Sequence, residues 1–156
     1  MPIVLIPVSN VAKNKYQLPV PSDKSISIDR NSSHAHWGRL ENAVDILAPM
    51  YTPVLAAATG TVTYVKDDSD IGGPSIDFWE YSNFISIRHE HDEYTRYDHL
   101  AFQSSKVKVG ASVTEGQEVG KVGMTGYTYV PHLHFQVFIF TGPNIWEHYR
   151  TLEVNF

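Results

Sequence analysis

The chain of 156 residues carries twelve Lys and Arg against seventeen Asp and Glu, a net charge of -5, and 42% of its residues are hydrophobic. That length suits one domain with a sizeable core, and the acidic balance has the wrong sign for a protein that gains affinity by neutralising phosphates, so nucleic acid is not an expected partner. The absence of cysteine excludes disulfide scaffolds, thiolate metal centres and thiol nucleophiles together, which leaves His, Asp and Glu to hold any metal.

The opening eight residues are apolar, but Pro2 and Pro7 interrupt them, and no basic stretch or small-residue cleavage site accompanies them. They are not expected to be a signal peptide, and no apolar stretch in the chain reaches the about 18 residues of a membrane span. Short runs rich in β-branched and aromatic residues follow at 44–47, 54–65, 84–88, 94–100, 107–109, 118–122 and 133–140. Glycines at 60, 110, 116, 123 and 126 punctuate them at hairpin-like intervals, which predicts an all-β fold, an antiparallel sandwich or partly open barrel. Only 144–152 hints at a helix. The connection 66–83 is long enough to be a rim loop over a site, and 123–131 leads straight into a histidine pair through Pro131.

Six of the eight histidines form i, i+2 pairs: His34 with His36, His89 with His91, and His132 with His134. In a strand such a pair projects from one face with a spacing of about 6 to 7 Å, so one ring can bind a metal while the other faces a substrate. The stretch 132–139 places His132, His134 and Gln136 on one face and Leu133, Phe135, Val137 and Ile139 on the other. His99 is expected to share a face with Thr95 and Tyr97. The polar run 88–93, with His89 and His91, reads as a solvated hairpin tip without a role. Asp45 lies inside the apolar run Ala43-Val44-Asp45-Ile46-Leu47, where a carboxylate needs a strong partner. Two histidines and one carboxylate from separate strands, with a fourth position left open, are the ligand set of a catalytic zinc site.

These residues carry a resemblance. His36, then AVDILAPMYTPVLAAATGTV (43–62), YDHL (97–100), VKVGASVTEGQEVGKVG (107–123) and PHLHFQV (131–137) resemble the M23 or LytM-type, lysostaphin-like zinc metallopeptidases, in the family's order. The resemblance implies an antiparallel β fold with a substrate groove, one Zn2+ per chain, and hydrolysis of peptide bonds in peptidoglycan stem peptides or cross-bridges. It matches Asp45 and His134 to metal ligands and His99 and His132 to two catalytic histidines. It also implies an extracytoplasmic or secreted setting. Within one domain over 1–156, residues 1–30 then read as an N-terminal extension, 31–142 as the catalytic core and 143–156 as a C-terminal tail.

The family's usual first ligand lies four residues before the aspartate, where this chain has Glu41, so His36, His34 and Glu41 compete for the third metal position. In an extended strand Glu41 and Asp45 would stand about 13 Å apart, which disfavours Glu41. His36 precedes Trp37-Gly38, a turn that lets the ring fold back beside Asp45, and it completes the expected set. Tyr97, Trp79, Tyr127 and Tyr129 are candidate groove walls.

Other readings fail on the residues. His34, His36 and Glu41 fit a cupin spacing, but no second cupin segment follows. Residues 107–123 resemble a lipoyl or biotinyl carrier turn without its modifiable lysine. Asp67, Asp68 and Asp70 lack the remaining acids of a calcium loop. The main alternative is a catalytically silent wall-binding or regulatory module, against which the retained Asp45, His99, His132 and His134 argue.

Overall fold

The alternation of apolar and polar residues along 132–140 decides the architecture, because the apolar set must face a core while the histidines face away from it. The protein is described here from a computed structural model covering residues 10–30, 36 and 38–156; the apolar opening and His34 lie outside the described residues. Among the described residues twelve strands are formed: β1 (Ser27–Asp29), β2 (Val44–Leu47), β3 (Pro53–Leu55), β4 (Gly60–Lys66), β5 (Gly72–Gly73), β6 (Phe84–Arg88), β7 (Tyr94–Asp98), β8 (Ser112–Val113), β9 (Glu118–Lys121), β10 (Gly126–Tyr127), β11 (His132–Phe140) and β12 (Tyr149–Leu152).

The main sheet runs β1-β2-β11-β7-β6-β4-β8, entirely antiparallel, with β12 paired to the far end of β11 beyond β2. Leu133, Phe135 and Val137 of β11 join Val44 and Ile46 of β2, Tyr97 of β7, and Ile85 and Ile87 of β6 on the inner face. The antiparallel β3–β9 pair closes over them with Val54 and Val119, and Leu100 and Val122 complete the core. The result is the all-β, antiparallel arrangement expected from the sequence.

Four local expectations are corrected. The run 54–65 is broken into β3 and β4 by residues 56–59, and Gly60, which opens β4, sits where a Cβ would lie 2.2 Å from the Arg88 carbonyl oxygen, an approach only glycine permits. Residues 107–109 are not a strand; the pairing with β4 comes from Ser112–Val113 instead. Within 144–152, where a helix was expected, β12 extends the sheet, and residues 141–148 fold back over its outer face with the Trp146 ring edge-on to Tyr64 and Phe84. Sheet pairing and aromatic packing there outweigh a weak helical tendency. Ser86 and Gln136, although on the outer face, are buried.

The fourth correction concerns the supposed solvated tip. His91 is at the tip with a left-handed backbone, but His89 is buried, its Nδ1 2.8 Å from the Thr59 carbonyl oxygen and its Nε2 2.8 Å from Thr95 Oγ1. A carbonyl can only accept, so Nδ1 carries the proton and Nε2 takes one from Thr95. Nearby Glu93, also buried, accepts from the Lys13 and Asn14 amides and the Tyr16 hydroxyl, which ties the N-terminal segment to β7.

Burial holds the His89 pKa below its ordinary value, against the Thr59 carbonyl and the Glu93 charge. The unfolded chain therefore binds the proton more readily, and the stability this neutral ring contributes is complete above about pH 6.5 and is lost progressively as pH falls below it through the lowered folded value. Urea denaturation of His89→Gln should accordingly show a shallower loss of stability between pH 7 and pH 5 than the unaltered protein. At pH 7 this variant is expected to be less stable by about 1 to 3 kcal/mol, because buried partners lose their hydrogen bonds.

Candidate metal and catalytic centre

Asp45 occupies the outer face of β2 between Val44 and Ile46, both of which point into the core. Its registered partner on β11 is His134, and the partner of His134 on the other side is Asp98 of β7. His36 reaches the same carboxylate from the segment before β2, with Nε2 3.1 Å from Asp45 Oδ1, while His134 Nδ1 lies 3.2 Å from that same oxygen. Among the described residues, these three are the group of His, Asp and Glu whose ligand atoms converge, all within 4.8 Å of one another.

The spacing fits a metal. The edge of a tetrahedron with arms of about 2.0 Å is roughly 3.3 Å, close to both observed separations. Nε2 of His134 lies 3.0 Å from Gln136 Oε1, so it donates to that carbonyl oxygen and leaves Nδ1 to a cation. Glu41 instead is exposed in the turn following the 3-10 helix Gly38–Leu40.

Two more imidazoles border the cluster. His132 Nε2 is 3.8 Å from Asp45 Oδ1, and the His99 ring lies with its centroid 4.6 Å from that of His132 and 6.1 Å from that of His134. Nδ1 of His99 is 2.7 Å from the Thr125 carbonyl oxygen, and Nδ1 of His132 is 2.8 Å from the Val130 carbonyl oxygen. Both contacts place the proton on Nδ1 and leave Nε2 with its lone pair.

The electrostatics follow from burial and neighbours. Burial pushes the His99 pKa down to about 4, assisted by the positive potential of His132. His132 is also lowered, by burial first. Burial works to lower His134 as well, but the hydrogen bond to Asp45 and the charges of Asp98 and Asp45 raise it overall. For Asp45 burial favours the neutral acid, and the interactions with His134 and His36 outweigh it, holding the carboxyl well below the usual carboxylate range.

His99 reaches this face differently from the sequence expectation. Tyr97 and Thr95 point into the core, and His99 has φ 65, a left-handed backbone that reverses its side chain onto the opposite face. Tyr97 is fully buried, its hydroxyl accepting the Ala57 amide at 2.9 Å, and cannot be a groove wall. Trp79 lies on the 3-10 helix Ile76–Tyr81, Tyr127 on β10 and Tyr129 in the segment before β11, and Trp79 and Tyr129 are among the most exposed aromatic rings. The connections 66–83 and 123–131 that carry them are joined: β10 pairs parallel to β5, and Thr128 N donates to Gly73 O at 3.0 Å. Spacing did not reveal Ser82, Arg96, Asp98 or Thr125, which surround His99; only the polar i, i+2 pattern of Arg96 and Asp98 within an apolar strand was a signal available in the sequence.

Residues 39–144, more than half of the chain, match the model of peptidase family M23. The chain belongs to that family. It is 34% identical over 116 residues to peptidoglycan DD-endopeptidase ShyC of Vibrio cholerae, covering 74% of this chain and 23% of ShyC. It is 36% identical over 102 residues to the DD-carboxypeptidase/endopeptidase Mpg of Neisseria meningitidis, covering 65% of this chain and 20% of Mpg. A solved zinc-containing peptidase from Vibrio cholerae superposes with a TM-score of 0.55 at 29% identity, over 80% of this chain and 36% of that one. The M23 chain described here thus spans about a fifth to a quarter of the length of these curated relatives. No helix among its described residues is long and apolar enough to cross a membrane.

If the cluster accepts zinc, Zn2+ added at about 100 times its dissociation constant should stabilise the fold by about 2.7 kcal/mol. Calorimetric melting should show the rise, a chelator should reverse it, and Asp45→Ala should abolish it.

Proposed function

We propose that this chain is a zinc-dependent metalloendopeptidase that hydrolyses peptide bonds in peptidoglycan stem peptides or cross-bridges, acting outside the cytoplasm, with 1–156 serving as a single peptidase unit around a 31–142 core. The observation that carries this reading is the convergence of two imidazole nitrogens on one carboxylate oxygen, beside two further imidazoles whose Nε2 atoms are free. The peptidoglycan endopeptidase ShyC and the zinc-containing Vibrio peptidase support the substrate and the metal respectively.

In this reading His36, Asp45 and His134 hold the ion, whose chemistry when bound is to acidify water and polarise the scissile carbonyl. Gln136 keeps the proton of His134 on Nε2, away from the ligand atom. His132 and His99 enter with Nδ1 protonated and Nε2 basic, so either can accept the proton of the attacking water and return it to the amine as the C–N bond breaks. The protonated rings also stabilise the oxyanion that precedes that break. The exposed Trp79 and Tyr129 flank an extended peptide.

Digestion of several peptidoglycan types, with the new termini identified by mass spectrometry, is expected to release peptides in a chelator-sensitive manner. Binding to the wall without released termini, at full zinc occupancy, would instead identify a silent binding module. His99→Ala and His132→Ala should each retain zinc while turnover falls by about 10²- to 10⁴-fold. Metal analysis should find zinc lost from His36→Ala and retained in His34→Ala and Glu41→Gln.

A further inference from the structure

We infer that Ser82, at the end of the 66–83 loop, is a positioning residue for His99, so that this rim loop holds the ring in its working orientation. The inference rests on the catalytic role proposed for His99.

Continued as a regular strand, β7 would carry His99 into the core after Thr95 and Tyr97. The left-handed conformation at φ 65 prevents this, and it is disfavoured for a residue other than glycine, so the surroundings must impose it. The His99 amide donates to Ser82 Oγ at 3.1 Å, and the Ser82 hydroxyl in turn donates to Asp98 Oδ1 at 3.1 Å. One hydroxyl thereby bridges two consecutive residues at the reversal, a task that needs a donor and an acceptor on the same atom.

The anchor behind it is stiff. Arg96 grips Asp98 through two of its nitrogens, Nε to Oδ2 at 2.6 Å and Nη2 to Oδ1 at 3.0 Å, and its guanidinium lies 3.7 Å from the centroid of the Phe84 ring. Ser82 has no room to withdraw: Gly126 packs so closely that a Cβ there would stand 2.6 Å from Ser82 Cβ. Oγ also lies 3.4 Å from His99 Nδ1, the atom held by Thr125. Ser82 caps the 3-10 helix Ile76–Tyr81, on which Ile76 and Trp79 are exposed. The element that meets solvent beside the centre therefore ends on the atom that orients His99.

Zinc-loaded Ser82→Ala is the test, with kcat and KM on a soluble peptidoglycan peptide, zinc content, and the NMR backbone shifts of His99 as readouts. Expected are a kcat lowered by about tenfold or more, part of the 10²- to 10⁴-fold range of acid-base assistance, with KM and zinc unchanged and His99 shifts that leave the left-handed range. Ser82→Cys keeps the shape with a weaker donor and should move kcat in the same direction by less, which serves if the Ala variant does not fold. Wild-type kcat, or unmoved His99 shifts, overturns the inference. Undiminished turnover in His99→Ala would instead overturn the catalytic reading, a result distinct from the Ser82 shifts.

Discussion

A single carboxylate on an otherwise apolar strand constrains everything around it. Asp45 is flanked in sequence by two core residues, so β2 cannot rotate to expose it without lifting Val44 and Ile46 from the interior. The register between β2 and β11 is fixed by the same apolar set, and a slip of one residue would send His134 into the core and Phe135 out. Hydrophobic packing therefore delivers Asp45 and His134 to each other. The charge itself is sustained by what reaches it, the imidazole nitrogens of His134 and His36 converging on one oxygen.

Around that carboxylate, the choice of ring nitrogen is made by fixed acceptors. The carbonyl groups of Thr125 and Val130 claim Nδ1 of His99 and His132, whereas Gln136 claims Nε2 of His134. Three imidazoles in one small volume thus present different atoms inward, and the two with free Nε2 are also the two whose burial keeps them neutral. A neutral imidazole is the form that either ligates a cation or accepts a proton, so the solvation and the hydrogen bonding agree.

Much of this was legible in the residues. Period-two alternation over 132–139 correctly separated a core face from a histidine face, and an aspartate inside AVDIL correctly demanded a partner. What failed to show were effects of tertiary contact. The reversal at His99 depends on a hydroxyl seventeen positions away in sequence, and no periodicity reports a positive φ at a histidine. The same limit hid the interior place of His89, since a polar run such as 88–93 looks solvated until Thr59 and Thr95 are folded beneath it. Tyr97 misled for the complementary reason: read as a groove wall, it lies in the core, where its hydroxyl satisfies the Ala57 amide.

The two-residue ladder between Gly72–Gly73 and Gly126–Tyr127 makes the two loops beside the centre a single mechanical part. Each loop leads directly into a strand of the main sheet, β6 and β11 respectively; the first supplies Ser82 to His99, and the second supplies Thr125 to His99 and Val130 to His132. Exchange of one loop for that of another protease, as in recombining specificities, would sever half of a shared seam and disturb both rings at once. The transplantable unit is the pair, taken with its glycines.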